Sequence, residues 1–243
     1  MDLLERSLAS IINQSFKDIE VIVMDGFSED GTIEIIEKYR RHTLEVIFVS
    51  EPDSGVYDAM NKGIKIANGE WLYFLGAGDV LYEKDTLKSL VKFFKSDFQI
   101  IQGNIIISNY KNTIYRDRLR GLTLLTRNFC HQGLFYRKGV FEEVGNYNLS
   151  YPIISDFEFN LRWFFNRQIT RIYLPIIICD YLGGGLSSQN HDLQFHNAKN
   201  DIINNLLKEN QNIKNYLLVF SFRIYDSLSK RNKKRINRYL QIE

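Results

Sequence analysis

Two cysteines in 243 residues, Cys130 and Cys179, lie far apart and in no CxxC pair. They offer no disulfide framework, argue against a zinc site, and fit a reducing cytoplasm. No run reaches the roughly 18 apolar residues of a membrane-spanning helix. The opening MDLLERSLAS is amphipathic and contains acids, unlike a secretory leader. Net charge is only +2, so the chain as a whole is no polyelectrolyte binder. Bases interleave with aromatics only near the C-terminus, which leaves nucleic-acid binding without support. There is no internal repeat and no low-complexity linker. A phosphate-cradling glycine loop is also missing, because GFSEDG lacks both the Lys and the glycine spacing such loops need.

What is present is an ordinary globular composition, 44% hydrophobic and 25% charged, enough for one large domain or a domain with a small appendage. Residues 3–12 carry apolar side chains at helical spacing. Strand-like runs follow at 19–25 (IEVIVMD), 44–50, 71–75 (WLYFL) and 98–108. Helical patterns occupy 28–41, 56–67 and 83–94, the first opening with acids and closing with bases, as a helix dipole prefers. This alternation predicts βαβ crossovers, hence an α/β fold with a mostly parallel central sheet flanked by helices. Beyond residue 100 the pattern loosens, apart from a helix at 156–165. From 191 the chain is polar and helical. The expected division is therefore a domain over 1–190 and a helical extension over 191–243. That extension contains SKRNKKRINRYL, with six bases and no acid.

The stretch GEWLYFLGAGDV places Asp79 after an apolar run and three small residues, Gly76, Ala77 and Gly78. Asp25 likewise ends the strand VIVMD, and Asp53 sits in the turn EPDSG after the next strand. Ligands bind at the C-terminal ends of strands in open α/β sheets. Three carboxylates on one such edge would repel a phosphate unless Mg²⁺ or Mn²⁺ bridged them. A solvated turn Asp is the plain alternative at Asp79.

The order VIVMDGFSEDGT, EPDSGVYDAMNKGIKIANGEWLYFLGAGD, CHQGLFYRKGVFEEVG and SDFEFNLRWF resembles the family 2 glycosyltransferases with the GT-A fold. The closest resemblance is to the bacterial enzymes that build surface polysaccharides, and it covers roughly residues 3–185. It implies that Asp25 contacts the nucleoside, Asp79 binds the metal–diphosphate and Asp156 is the catalytic base. Asp53, Gly78 and His131 join the donor-binding set. The family's Asp-x-Asp element has shrunk to Ala77-Gly78-Asp79, leaving one carboxylate for Mn²⁺ or Mg²⁺. The family also places an apolar strand before its first helix, and Met1-Asp2 holds no counterpart. Either the recorded start is late or the sheet lacks a strand.

The resemblance implies an inverting, metal-assisted transfer of a sugar from a nucleotide-diphosphate donor, UDP first, to a saccharide or polyprenyl-linked acceptor. The implied setting is polysaccharide biosynthesis, in the cytoplasm or at the inner membrane face. A weak or inactive binding partner of such an enzyme is the alternative. A nucleotidyltransferase is disfavoured because no Gly-rich basic loop follows the first strand. Ser155 and Glu158 read as a capping box opening the 156–165 helix, whose N-terminus favours an ionised Asp156. A merely favourable first-turn acid is the alternative there, as a structural imidazole is at His131. Asn61 and Lys62 read as structural or solvated. Gly183-Gly184-Gly185 is a flexible turn or a loop closing on the donor. The basic tail either rests on an anionic membrane surface or forms a solvated helix face.

Overall fold

The computed structural model describes residues 3–40, 45–107, 113–116, 121–185, 192–210, 217 and 219–220. Helix α1 (Leu3–Ile12) leads into strand β1 (Glu20–Asp25), helix α2 (Thr32–Arg40), β2 (Glu45–Ser50) and α3 (Val56–Ile66). Then come β3 (Trp71–Tyr73), β4 (Val80–Leu81), α4 (Thr86–Phe94), β5 (Ile100–Ile107), β6 (Thr113–Tyr115) and α5 (Gly121–Thr126). A 3₁₀ turn at His131–Gly133 precedes β7 (Leu134–Arg137), α6 (Gly139–Val144), α7 (Ser155–Phe165), β8 (Arg171–Tyr181) and α8 (Leu193–Asn210).

The α/β architecture agrees with the sequence pattern, but the pairing is mixed rather than mostly parallel. Strands β1 and β2 form a parallel two-stranded sheet, with Asp25 opposite Ser50. The second sheet runs β3-β7-β5-β8-β4, with β6 added to β5. There β3, β5 and β8 point one way, and β7, β4 and β6 point the other. Helical crossovers do carry the chain between co-directional strands, as expected. Strand β7 then returns antiparallel and inserts between β3 and β5, which periodicity alone does not reveal. The run at 71–75 is also shorter as a strand than its apolar length suggests. It leaves the sheet at Tyr73, and only Leu72 within it is buried.

One face of the larger sheet carries an aromatic core beneath α7 and α8. Phe141 stacks on Phe159 at 4.6 Å, and Tyr136 meets Phe159 edge-on at 5.6 Å. Helix α8 belongs to this core, with Phe195 packed on Phe157 at 5.1 Å and Ile203 and Leu207 buried. The other face packs Ile101, Ile105 and Ile178 against Leu87 and Leu90 of α4. Helix α1 covers the small sheet through Leu8 against Val21 and Tyr39.

Two glycines set how closely the site can approach the sheet. A Cβ on Gly133 would stand 2.9 Å from the Gly103 carbonyl oxygen. One on Gly103, where the β5–β8 register slips, would collide with Ile178. Their bare backbones let the His131–Gly133 turn settle directly on β5. Among the described residues, no helix is long and apolar enough to cross a membrane. The basic tail lies outside them.

Candidate active site

Asp79 follows a turn that α1 shapes. The Ser7 hydroxyl lies 3.1 Å from the Gly76 carbonyl and 2.8 Å from the Asp79 carbonyl, and it accepts the Gly78 N–H at 2.9 Å. Gly78 has φ +94 and donates to the Leu3 carbonyl at 3.0 Å. A side chain there would strike Leu182, and one on Gly76 would meet the Asp79 carboxylate at 2.9 Å. The turn itself therefore requires the two glycines. The Asp79 side chain accepts the Leu182 N–H at 2.9 Å and the Gln132 amide at 3.0 Å. The residue is only 3% exposed. Burial pushes its carboxyl above the ordinary range, against the lowering effect of these donors and of nearby His131.

Gln132 is itself oriented, because the Cys130 thiol lies 2.8 Å from its Oε1 and so turns its NH₂ toward Asp79. One residue earlier, His131 Nδ1 stands 3.5 Å from the Asp156 carboxylate. The single turn over β5 thus touches both acids. Asp156 also receives Tyr57 Oη at 2.8 Å and Asn128 Nδ2 at 2.7 Å. Burial raises the Tyr57 phenol so far that it serves only as a proton-bearing donor.

Asp25 and Asp53 form the other part of the region. Asp25 accepts Ser50 Oγ at 2.7 Å and the Ser28 N–H at 3.2 Å. Burial raises its carboxyl, these donors outweigh that effect, and the net position is below the ordinary range. Asp53 is exposed and accepts the Gly55 N–H at 2.8 Å. Its Oδ2 lies 2.8 Å from where a Cβ on Gly26 would stand. The Asp53 turn leads straight into α3 and hence to Tyr57. Asp25, Asp53 and Asp79 do not share one sheet edge, however. The first two flank the small sheet and Asp79 the larger one, because β3 pairs with β7 instead of extending the β1–β2 ladder.

The capping box expected at α7 does not form. Ser155 is already helical, Ile154 is the cap residue, and no side chain caps it. Glu158 is instead held by Arg162 Nε at 2.9 and 3.0 Å, one turn on. Arg162 also donates to the carbonyls of Val144, Gly145 and Asn146. Asn61 and Lys62 are structural as expected: Asn61 exchanges bonds with the Tyr147 backbone, and Lys62 pairs with Glu51 and Asp58. Gly183 and Gly184 both adopt left-handed φ, just after Leu182 reaches Asp79.

The sequence reading missed Tyr57, Asn128 and Gln132. The last two sit in RNFCHQG around His131, so their proximity to a suspected site residue was the available signal. Tyr57 carried none, since a tyrosine on an amphipathic helix is ordinarily core.

An isolated carboxylate can anchor a divalent cation only if lone pairs remain. Each Asp79 oxygen accepts one of these hydrogen bonds, and a carboxylate has about four acceptor sites, so the residue fits such a role alongside a diphosphate. Among the described residues, no three His, Cys, Asp or Glu side chains gather into a cation cage.

Residues 2–163 match the profile of Glycosyl transferase family 2. A PGL/p-HBAD biosynthesis glycosyltransferase of Mycobacterium bovis is 38% identical over 199 residues, covering 77% of this chain and 75% of the relative. Among solved structures, S. aureus TarS 1–349 in complex with UDP-GlcNAc superposes with a TM-score of 0.64 at 20% identity. It covers 84% of this chain and 62% of its own. The mannosyltransferase PcManGT from Pyrobaculum calidifontis, in complex with GDP-Man and Mn²⁺, gives a TM-score of 0.57 at 20% identity. It covers 72% of this chain and 52% of its own. The chain thus spans a little over half the length of these solved relatives. It belongs to glycosyl transferase family 2 and has the GT-A-like α/β fold.

Proposed function

We propose that this family 2 chain is an inverting glycosyltransferase that uses a nucleotide-diphosphate sugar, UDP first, and an acceptor hydroxyl of a saccharide or lipid-linked saccharide. The observation that carries this reading is the pair of buried carboxylates, Asp79 and Asp156, touched by adjacent residues of one turn, Gln132 and His131. In the proposed reaction the acceptor oxygen attacks the anomeric carbon, the bond from that carbon to the diphosphate oxygen breaks, and Asp156 takes the hydroxyl proton. Tyr57 and Asn128 donate to its two oxygens and hold the carboxylate in place. His131 would bind the diphosphate or the acceptor beside it.

Asp79 would hold Mn²⁺ or Mg²⁺, which when bound neutralises charge on the leaving diphosphate. The sugar diphosphate would lie beside the 76–79 turn, against Asp79. Asp25 and Asp53 would meet the nucleoside, next to Phe27, which is 59% exposed at φ 65. The UDP-GlcNAc and GDP-Man/Mn²⁺ complexes named above are compatible with either base and support a metal-assisted donor site.

A catalytic domain through residue 190 and a helical extension from 191, whose α8 packs back into the aromatic core, complete the proposal. The tail bases at 229–240 would rest on an anionic membrane surface, near lipid-linked acceptors on its cytoplasmic side. Calorimetric titration of UDP, GDP and dTDP, with and without Mn²⁺, is the direct test. Manganese-dependent binding of one nucleotide, lost in Asp79→Ala, is the expected result. Absence of binding to all three would overturn the donor-site reading.

A further inference from the structure

Asp156, Asn160 and Trp163 occupy positions i, i+4 and i+7 of α7, and therefore share one face of that helix. Three hydrogen bonds run along this face. Trp163 Nε1 donates to Asn160 Oδ1 at 2.8 Å, Asn160 Nδ2 donates to Asn128 Oδ1 at 2.8 Å, and Asn128 Nδ2 donates to Asp156 Oδ2 at 2.7 Å. Tyr136 Oη lies 3.4 Å from the same Asn160 oxygen. Asn160, Trp163 and Tyr136 are each 0% exposed, so water does not compete for their polar atoms.

The direction of this chain follows from its far end. An indole N–H can only donate. The Asn160 atom facing it must be the oxygen, so the Asn160 NH₂ faces Asn128. Asn128 must then present its own oxygen to Asn160 and its NH₂ to Asp156. Reversing either amide would set donor against donor, in a fully buried site at Asn160 and a half-buried one at Asn128. Tyr57 supplies the same polarity from α3 on the other carboxylate oxygen.

We infer that Asn128, Asn160 and Trp163 are positioning residues for Asp156: the donor-only indole sets the polarity of a relay that fixes the rotamer of the carboxylate. The importance of this for turnover rests on the reading of Asp156 as the base, whereas the relay itself does not.

The chain has two tryptophans, so an amide-correlation NMR spectrum of the ¹⁵N-labelled full chain shows two indole N–H signals. Trp71, bonded to the Phe94 carbonyl at 3.0 Å, serves as the internal control. Asp156→Ala should move the Trp163 signal and leave that of Trp71 in place. In an Asn128→Leu background, the same Asp156→Ala change should no longer move it. An unmoved Trp163 signal, or a shift that persists with Asn128→Leu, overturns the relay. The second result would mean that the charge acts through space.

In parallel, Trp163→Phe should lower kcat for UDP-GlcNAc hydrolysis several-fold with KM unchanged, and unchanged kcat in a folded variant counts against positioning. Full turnover in Asp156→Asn would sink the base assignment while leaving the indole result intact. The two failures are therefore distinguishable.

Discussion

Asp79 and Asp156 are both buried, both within reach of the His131–Gly133 turn, and held by different means. Asp79 relies on one backbone N–H and one amide, in a turn whose shape comes from small residues and from Ser7 of α1. Its charge is under-compensated, and burial raises its carboxyl. Asp156 has side-chain donors on both oxygens, His131 beside it, and a relay of polar groups behind. The first arrangement leaves a carboxylate short of positive charge, as suits a cation ligand. The second holds a carboxylate fully solvated by protein, as suits a base that must keep its geometry.

The comparison predicts unequal losses. Asp156→Asn should cost about 10³-fold in kcat while leaving nucleotide affinity nearly intact, read by nucleotide release under saturating donor. Equal losses in kcat and affinity would erase the distinction. Asp79→Ala should act the other way, weakening donor binding and abolishing its manganese dependence, with about a 10²-fold fall in kcat/KM. Tyr57→Phe should lower kcat about tenfold, as expected for one donor to a charged group. Unaltered turnover would place the burden on Asn128 alone. Gly133→Ala should destabilise the fold by about 1–3 kcal/mol in thermal melts, since its Cβ meets the Gly103 carbonyl.

The smallest effect is on pH dependence. Asp79 has a raised folded pKa, so its contribution favours the fold at low pH and is lost as pH rises through that value. Asp25 has a lowered one, so its contribution is present above the unfolded value near 3.8 and lost as pH falls through the folded one. Melting curves against pH should therefore show Asp79→Asn gaining on the wild type as pH rises, and Asp25→Asn losing ground.

Much of this was legible in the residues. Asp25, Asp79 and Asp156 stood out because each ends an apolar run or opens a helix, and those local patterns survive folding. The alternation of strands and helices through residue 107 was equally plain. The antiparallel insertion of β7 was not, because LFYR carries no mark of its neighbours. The donors to Asp156 were hidden for a related reason. Asn128 and Tyr57 lie 28 and 99 residues away in the chain, and only the tertiary fold pairs them with it. Glu158 was misassigned because the four-residue spacing to Arg162 offers a stronger partner than the capping role.

Ser7 gives the engineer an unexpected handle. One hydroxyl, 5% exposed on a helix that precedes both sheets, contacts three separate backbone groups of the 76–79 turn. A library aimed at the proposed metal site would ordinarily target side chains around Asp79 and skip position 7. Ser7→Ala and Ser7→Thr would retune where Asp79 sits without altering any side chain of the proposed donor site, which makes position 7 a remote dial for evolving this enzyme.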